Sequence, residues 1–323
     1  MYFNKNNNFY HGIMFHHFHD DGIHKKAQGS IDKDDLYKII NFVGRNNILD
    51  ADVFYEKFKN NKLKNNKVCL TFDDSIKCQI DIALPVLEEL KIKSFFFVHT
   101  AIFQGKPDNL ELFRYFRVNY FNNIDEFYNN FFKVIDKDFK SFFEKNSDKI
   151  KEYKIKFPMY SIEDIKFRLV RDVFLTKAQY EEAMFIMFKD KQFDYKDFSK
   201  KLCFQKSDLQ TLNNLGHLIG LHSHNHPTLL EKLSYDDQKN EYEKNLSSIS
   251  SILDKPKNEI KCMSHPNGSY NVDTLEILKE LGIELGFKQI MTIEPEKGMA
   301  KVNNSFLEIA RQDHADIYKR INQ

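Results

Sequence analysis

Short apolar segments recur along this chain with helical segments between them. The clearest are "KVCLTF" (67–72), "KSFFFVHT" (93–100), "HLIGLHS" (217–223), "IKCMSH" (260–265) and "IELGFKQI" (283–290), preceded by "YHGIMFHHF" (10–18). The intervening stretches carry helical spacing and helical punctuation. Leu36, Ile39, Ile40 and Val43 share one face, with Ser30 or Asp32 as the cap. "ALPVLEEL" (83–90) tolerates Pro85 in its first turn. "SDLQTLNNLG" (207–216) has a Ser cap and a Gly stop, and Ser234 opens "SYDDQKNEYEKNLSSISSIL" (234–253) with a capping-box pattern to Asp237. "VDTLEILKELG" stops at Gly282. Strands alternating with helices imply an α/β fold with a parallel sheet, open or closed into a barrel.

The alternation is interrupted between about 103 and 206. That stretch holds 18 of the 31 Phe residues, mixed with Lys, Asp and Asn. Patterns such as "IDEFYNNFFKVI" and "QYEEAMFIMF" are helical. We read residues 1–102 and 207–323 as two parts of one α/β domain. Residues 103–206 then form a helical insertion whose Phe residues make an ordinary core, or a lid over a site.

Charge excludes some partners. Lys and Arg total 48 against 47 Asp and Glu, so neither nucleic acid nor an anionic membrane is the expected partner. The four cysteines, Cys69, Cys78, Cys203 and Cys262, form no CxxC pair and read as reduced residues. No apolar run is long enough for a signal peptide or a membrane span. The expected location is the cytoplasm.

Polar chemistry collects at strand ends. "FHHFHDDG" (15–22), "TFDD" (71–74) and "HSHNHP" (222–227) each follow an apolar segment. In parallel α/β folds, ligands bind beyond the carboxyl ends of the strands, so these clusters converge on one site. Asp73 and Asp74 are adjacent carboxylates, and burying both requires compensation. A divalent cation can neutralise one and leave the other as a base. His222 and His226 are four apart, but Pro227 disfavours helical geometry at His226, so a turn must aim both rings at one point. Two imidazoles and one carboxylate make a three-ligand site with open positions, typical of zinc and usable by other divalent metals. His224 alternates away, and His24, His99 and His217 read as packed or exposed bystanders. No cysteine lies in a His-rich motif, and adjacent acids cannot flank a sugar ring as glycosidase carboxylates do.

"TFDD", "HSHNHP" and "SHPNGSYN" (264–271), in that order, resemble the motifs of the polysaccharide deacetylase family, the NodB-like carbohydrate esterases. The resemblance covers residues 10–100 and 207–314 and leaves out the insertion. It implies a distorted, incomplete (β/α) barrel and metal-dependent removal of an N-acetyl group from an amino sugar. It makes Asp73 the base, and Asp74, His222 and His226 the metal ligands. Pro266 and Asn267 would form the oxyanion loop, with the Asn267 amide donating, and His16, in an "MFHHF" that is similar to the family's "MYHR" opening, would sit at the substrate rim.

The departures are specific. The usual Gly after TFDD is Ser75, the Arg that opens the third motif is Ser264, and the aromatic residue after its proline is Asn267. The segment "EIARQDHAD" (308–316) is similar to a late Pro-Arg segment of some family branches. On that likeness Arg311 tethers Asp73, and His314 is a candidate general acid, with a surface helix as its alternative. The implied substrate is a nucleotide-linked, lipid-linked or oligosaccharide amino sugar, in the making of a surface glycan such as lipopolysaccharide or capsule. Two other readings share these residues: a deformylase or other non-sugar amidase, and an inactive barrel that binds glycan.

Overall fold

The computed structural model describes residues 1–4, 7–156, 160–289, 291 and 305–322. Ile290, the last residue of the expected strand 283–290, lies outside them. The chain divides into two compact units. One comprises residues 1–106 and 200–323, the other residues 107–199.

The first unit is built on seven strands: β1 His11–Phe15, β2 Val68–Phe72, β3 Phe95–Val98, β4 Leu218–Leu221, β5 Cys262–Ser264, β6 Leu285–Phe287 and β7 Arg311–Asp313. They run parallel in the order β6-β5-β4-β3-β2-β1-β7. Barrel closure comes through the chain just before β7. Ile309 bridges Phe287 in parallel, donating to the Gly286 carbonyl while Lys288 donates to its own. Two residues later the same chain pairs with β1, Gly12 opposite Arg311. The result is a nearly closed barrel of the NodB type.

Small residues make that closure possible. A Cβ on Gly286 would lie 2.7 Å from the Leu307 carbonyl oxygen, and one on Gly12 would lie 2.9 Å from Arg311 Cγ. Both are closer than side-chain carbons approach, so each glycine is needed for close packing.

Helices α1 Lys33–Val43, α2 Ala51–Lys59, α3 Leu84–Glu89, α4 Lys206–Asn214, α5 Tyr235–Leu253, α6 Val272–Glu280 and α7 His314–Ile321 accompany the strands. Asp32 caps α1 and Ser234 caps α5, as their sequences imply. For α4 the cap lies two residues before the expected Ser207. The helix starts at Lys206, and Gln205 and Asp208 form the reciprocal cap.

Strand periodicity sorts the residues of β2 between two faces. Leu70 and Phe72 join the large outer core, which also holds Leu36, Ile39, Ile40, Phe96, Val98 and Ile249. Cys69 faces a second cluster with Ala51, Phe54, Phe95, Phe97, Cys262, Leu285, Phe287 and Ile309. The same alternation puts Thr71 and then Asp73 in line with Cys69. On β5 it puts Ser264 in line with Cys262. Thus the interior passes from apolar to polar towards the carboxyl ends of the strands, and the acids stand at that mouth.

The second unit is helical. Its described helices are Asn109–Asn119, Ile124–Ile135, Lys140–Lys145, Ser147–Lys156, Ile162–Leu169 and Lys177–Asp190, with Tyr195–Leu202 beginning in this unit and ending in the first. Phe113, Phe116, Phe127, Phe131, Phe167 and Phe188 are buried and meet mostly edge to face, with Phe116 and Phe188 centroids 4.5 Å apart. Arg117 lies over Phe127 and Phe167 at 5.9 and 5.7 Å, a cation–π arrangement.

Buried neutral histidines give this fold a definite acid sensitivity. Burial pushes the His11 imidazole down from 6.5 to about 4, and that of His265 to about 3. Each folded value lies below the unfolded one, so the unfolded chain takes up the protons first. The stabilisation is complete above about pH 6.5 and is lost as pH falls towards 4. His11 alone costs about 2 kcal/mol at pH 5. Urea unfolding at pH 7.5 and pH 5.0 measures it; equal stabilities would show that these rings are already protonated in the folded chain.

Candidate active site and metal centre

Four strand ends supply the site. Asp73 and Asp74 follow β2, His222 to His226 follow β4, Ser264 ends β5 and Arg311 opens β7. Asp74 leaves the strand in the left-handed region (φ 75°), as does Ser75 (φ 56°). This is why glycine suits the position after TFDD. Serine there accepts backbone strain of the order of 1 kcal/mol or more, and its carbonyl is held by the Phe204 amide at 2.8 Å. The reversal turns the Asp73 and Asp74 side chains towards different partners.

Asp74 meets the histidines. Its Oδ1 lies 3.1 Å from His222 Nε2 and 3.2 Å from His226 Nε2, and its Oδ2 lies 3.8 Å from His16 Nε2. One donor atom from each of Asp74, His222 and His226 falls within 4.8 Å of the others. The turn after β4 brings the two rings together, their centroids 5.0 Å apart, with Ser223 (φ 62°) and His226 (φ 53°) both left-handed. His222 and His226 therefore share a turn, as Pro227 implies, and not a helix face.

The donor set fits a divalent cation. His222 Nδ1 donates to the Ser264 carbonyl at 2.9 Å, which leaves the lone pair of Nε2 facing Asp74. Burial lowers the His222 pKa despite the nearby carboxylates, which disfavours the doubly protonated ring. A lone pair aimed at a carboxylate oxygen is repulsive unless a cation stands between them. For Asp74, burial acts to raise the pKa. The histidines around it, His226 foremost, outweigh burial, and the carboxyl is held well below its ordinary value.

Asp73 meets a guanidinium. Arg311 donates from Nη1 to Oδ1 at 2.8 Å and from Nη2 to Oδ2 at 2.7 Å, a bidentate fork. Arg311 is fully buried. Its other donors are also satisfied, by Thr71 Oγ1, by Ser264 Oγ at 2.7 Å and by the Lys288 carbonyl at 2.9 Å. Ser264 Oγ also stands 3.1 Å from Asp73 Oδ2. Burial alone would raise the Asp73 pKa, but the Arg311 charge outweighs it and keeps the group below its ordinary value. Asp73 is thus ionised and fixed; Oδ2 accepts from both Arg311 and Ser264, while Oδ1 accepts from Arg311 and retains a lone pair for a proton.

The remaining predicted residues divide. Pro266 is buried and Asn267 is exposed in the turn after β5, Asn267 left-handed at φ 52°. His16 is about one-fifth exposed beside Asp74. The structure engages the His314 ring elsewhere. It opens α7, is buried, stacks on Phe15, and faces the carbonyls of Met14 and Gly29 at 3.1 and 2.9 Å through Nδ1 and Nε2. An imidazole with both nitrogens against main-chain carbonyls has no proton to deliver at the barrel mouth. The surface-helix alternative fails too, because the ring is buried.

Several supporting residues escaped sequence reasoning. His99, read as a bystander, stacks on His226 at 5.3 Å and places Nε2 3.1 Å from the Asp74 carbonyl. Gln79 donates to the carbonyls of Asp73 and His16 at 2.6 and 3.0 Å. Asn245 accepts from the His222 amide at 3.0 Å. No motif marks them; they are polar residues buried on helices or strand ends.

The polysaccharide deacetylase family model matches residues 135–286. The match runs through much of the helical stretch that sequence reasoning left outside the resemblance, and it stops short of Asp73 and Asp74. No curated protein sequence matches the chain. Among solved structures, the chain is similar to the Streptococcus pyogenes deacetylase PplD in complex with acetate (17% identity, TM-score 0.55, 94% of this chain and 92% of that one). It is also similar to IcaB from Ammonifex degensii (11%, 0.55, 98% and 98%) and to a de-N-acetylase from Aggregatibacter actinomycetemcomitans (12%, 0.54, 97% and 99%). At these identities the structures establish a shared barrel fold. Over residues 135–286 the chain is similar to the polysaccharide deacetylase family, and its barrel is of the NodB type that these solved deacetylases share.

Proposed function

We propose that the chain is a metal-dependent hydrolase that removes an N-acetyl group from an amino sugar, in the making of a surface glycan. Kinship with the polysaccharide deacetylases supports N-deacetylation, and the PplD complex holds acetate, the product such a reaction releases. One observation carries the metal dependence: adjacent acids have separate partners, Asp74 with His222 and His226, Asp73 with Arg311. A binding module has no use for that division. Arg311 also supplies a guanidinium to Asp73 where the third motif opens with Ser264.

In this reading Asp74, His222 and His226 hold a divalent cation, with zinc preferred by the donor set. Such a cation lowers the pKa of water from 15.7 towards about 7 and polarises a carbonyl. Asp73 takes the proton of the attacking water. Arg311 and Ser264 hold its carboxylate in place and away from the ligand set. The Asn267 amide, next to buried Pro266, donates to the developing oxyanion, a contact worth roughly 3 kcal/mol. With His314 committed elsewhere, Asp73 returns the proton to the leaving amine. His16 flanks the sugar at the rim. The substrate is an amino sugar on an oligosaccharide, a nucleotide or a lipid; among the described residues no helix is long and apolar enough to cross a membrane.

Acetate release from N-acetylated oligosaccharide, nucleotide and lipid-linked amino sugars tests the reaction. We expect release from at least one class, abolished by a chelator and restored by zinc or another divalent metal. Formate release from formamides in its place would select the deformylase reading. The division of labour has its own signature. Asp73→Asn should lower kcat about 1,000-fold and keep the metal, whereas His222→Ala should lose metal and activity together. Metal analysis showing the reverse pattern would contradict these roles.

A further inference from the structure

The turn that carries both metal-ligand histidines does not hold its own shape. Ser223 and His226 are non-glycine residues in the left-handed region, and each carries strain that surrounding structure must offset. Within the turn, the His226 amide donates to Ser223 Oγ at 3.1 Å. The amides of His224 and Asn225 point to α5 instead. Glu241, a buried residue of that helix, accepts both on Oε2, at 3.1 and 2.7 Å, and accepts the Asn225 side-chain amide on Oε1. One helical turn on, Asn245 accepts from the His222 amide and donates to the Val98 carbonyl and Thr100 Oγ1. Thr100 Oγ1 meets His224 Nδ1 at 2.9 Å, and the amides of Thr100 and Ala101 donate to the His224 carbonyl.

We propose that Glu241 is a positioning residue for the metal centre: its carboxylate locks the strained 223–226 turn, so metal affinity depends on an acid that touches no ligand ring. This rests on the metal site of the proposed function. Glu241 faces three N–H donors and presents acceptors to all of them. In Glu241→Gln, one acceptor becomes an NH2 group, so at least one amide of the turn meets a donor or is left unsatisfied while buried. The turn then loses what offsets its two left-handed residues, and His226 loses its aim towards Asp74 while Asp74 and His222 stay on their strand ends. Neighbouring supports of metal ligands typically govern affinity by 10- to 100-fold.

Zinc affinity, measured with Zn2+ alone against a competing chromophoric chelator, tests this without reference to catalysis. Glu241→Gln should bind zinc about 10- to 100-fold more weakly than the unaltered chain at a temperature well below its melting point. Gln238→Ala is the control. Gln238 is buried on the same helix and bonds the Leu233 carbonyl and Thr274, away from the turn. It should lose stability and keep full zinc affinity. Should Glu241→Gln fail to fold, Asn225→Ala removes one of the three donors from an exposed position and should weaken zinc about threefold. Unchanged zinc affinity in Glu241→Gln, or in Asn225→Ala where that is the variant measured, overturns the proposal. Equal weakening in Gln238→Ala does the same. Zinc binding with no acetate release from any substrate would overturn the deacetylase reading and leave this inference standing.

Discussion

Two carboxylates that follow one another at a strand end repel, and neither tolerates burial unaccompanied. The barrel mouth is organised around that constraint. The left-handed backbone at Asp74 and Ser75 separates the two side chains, and each then has its own counter-charge. Asp73 receives a rigid cation from the opposite end of the sequence, Arg311, which the β1–β7 pairing delivers to it. Asp74 receives two imidazole nitrogens and, in our reading, the ion they share. Removing either compensation leaves an uncompensated charge in a site where that costs several kcal/mol.

This arrangement places demands well beyond the site. Arg311 needs room, which Gly12 provides, and a closing strand that approaches β6 where Gly286 lacks a side chain. It needs every donor satisfied, which recruits Thr71, Ser264 and the Lys288 carbonyl. Ser264 links the two halves: its hydroxyl faces Asp73 and Arg311, and its carbonyl fixes the His222 ring. A serine at this position, where the family usually carries arginine, is thus the partner of an arginine that comes from another strand.

Six strands were legible because they are buried on both faces and so are apolar in series. β7 was not, since "RQD" has no apolar residue and its Arg is buried only because Asp73 waits for it. The convergence of Asp74, His222 and His226 was legible as chemistry at strand ends, and Pro227 excluded the helical alternative for His222 and His226. His314 shows the limit of such reasoning. Its place after the Arg311 segment is similar to that of an acid, but pairing of β7 with β1 puts its ring against two main-chain carbonyls. His99, Gln79, Glu241 and Asn245 carried no signal, because a buried hydrogen bond made across the fold leaves no periodic trace in one sequence.

The account is tested most directly by anomalous diffraction at the zinc edge from crystals grown with zinc. It predicts a single strong peak at the barrel mouth, about 2.0–2.2 Å from one oxygen of Asp74 and from Nε2 of His222 and of His226, with Asp73 uncoordinated and still paired to Arg311. A peak bound by Asp73, or zinc held elsewhere while these three side chains stay empty, would contradict it.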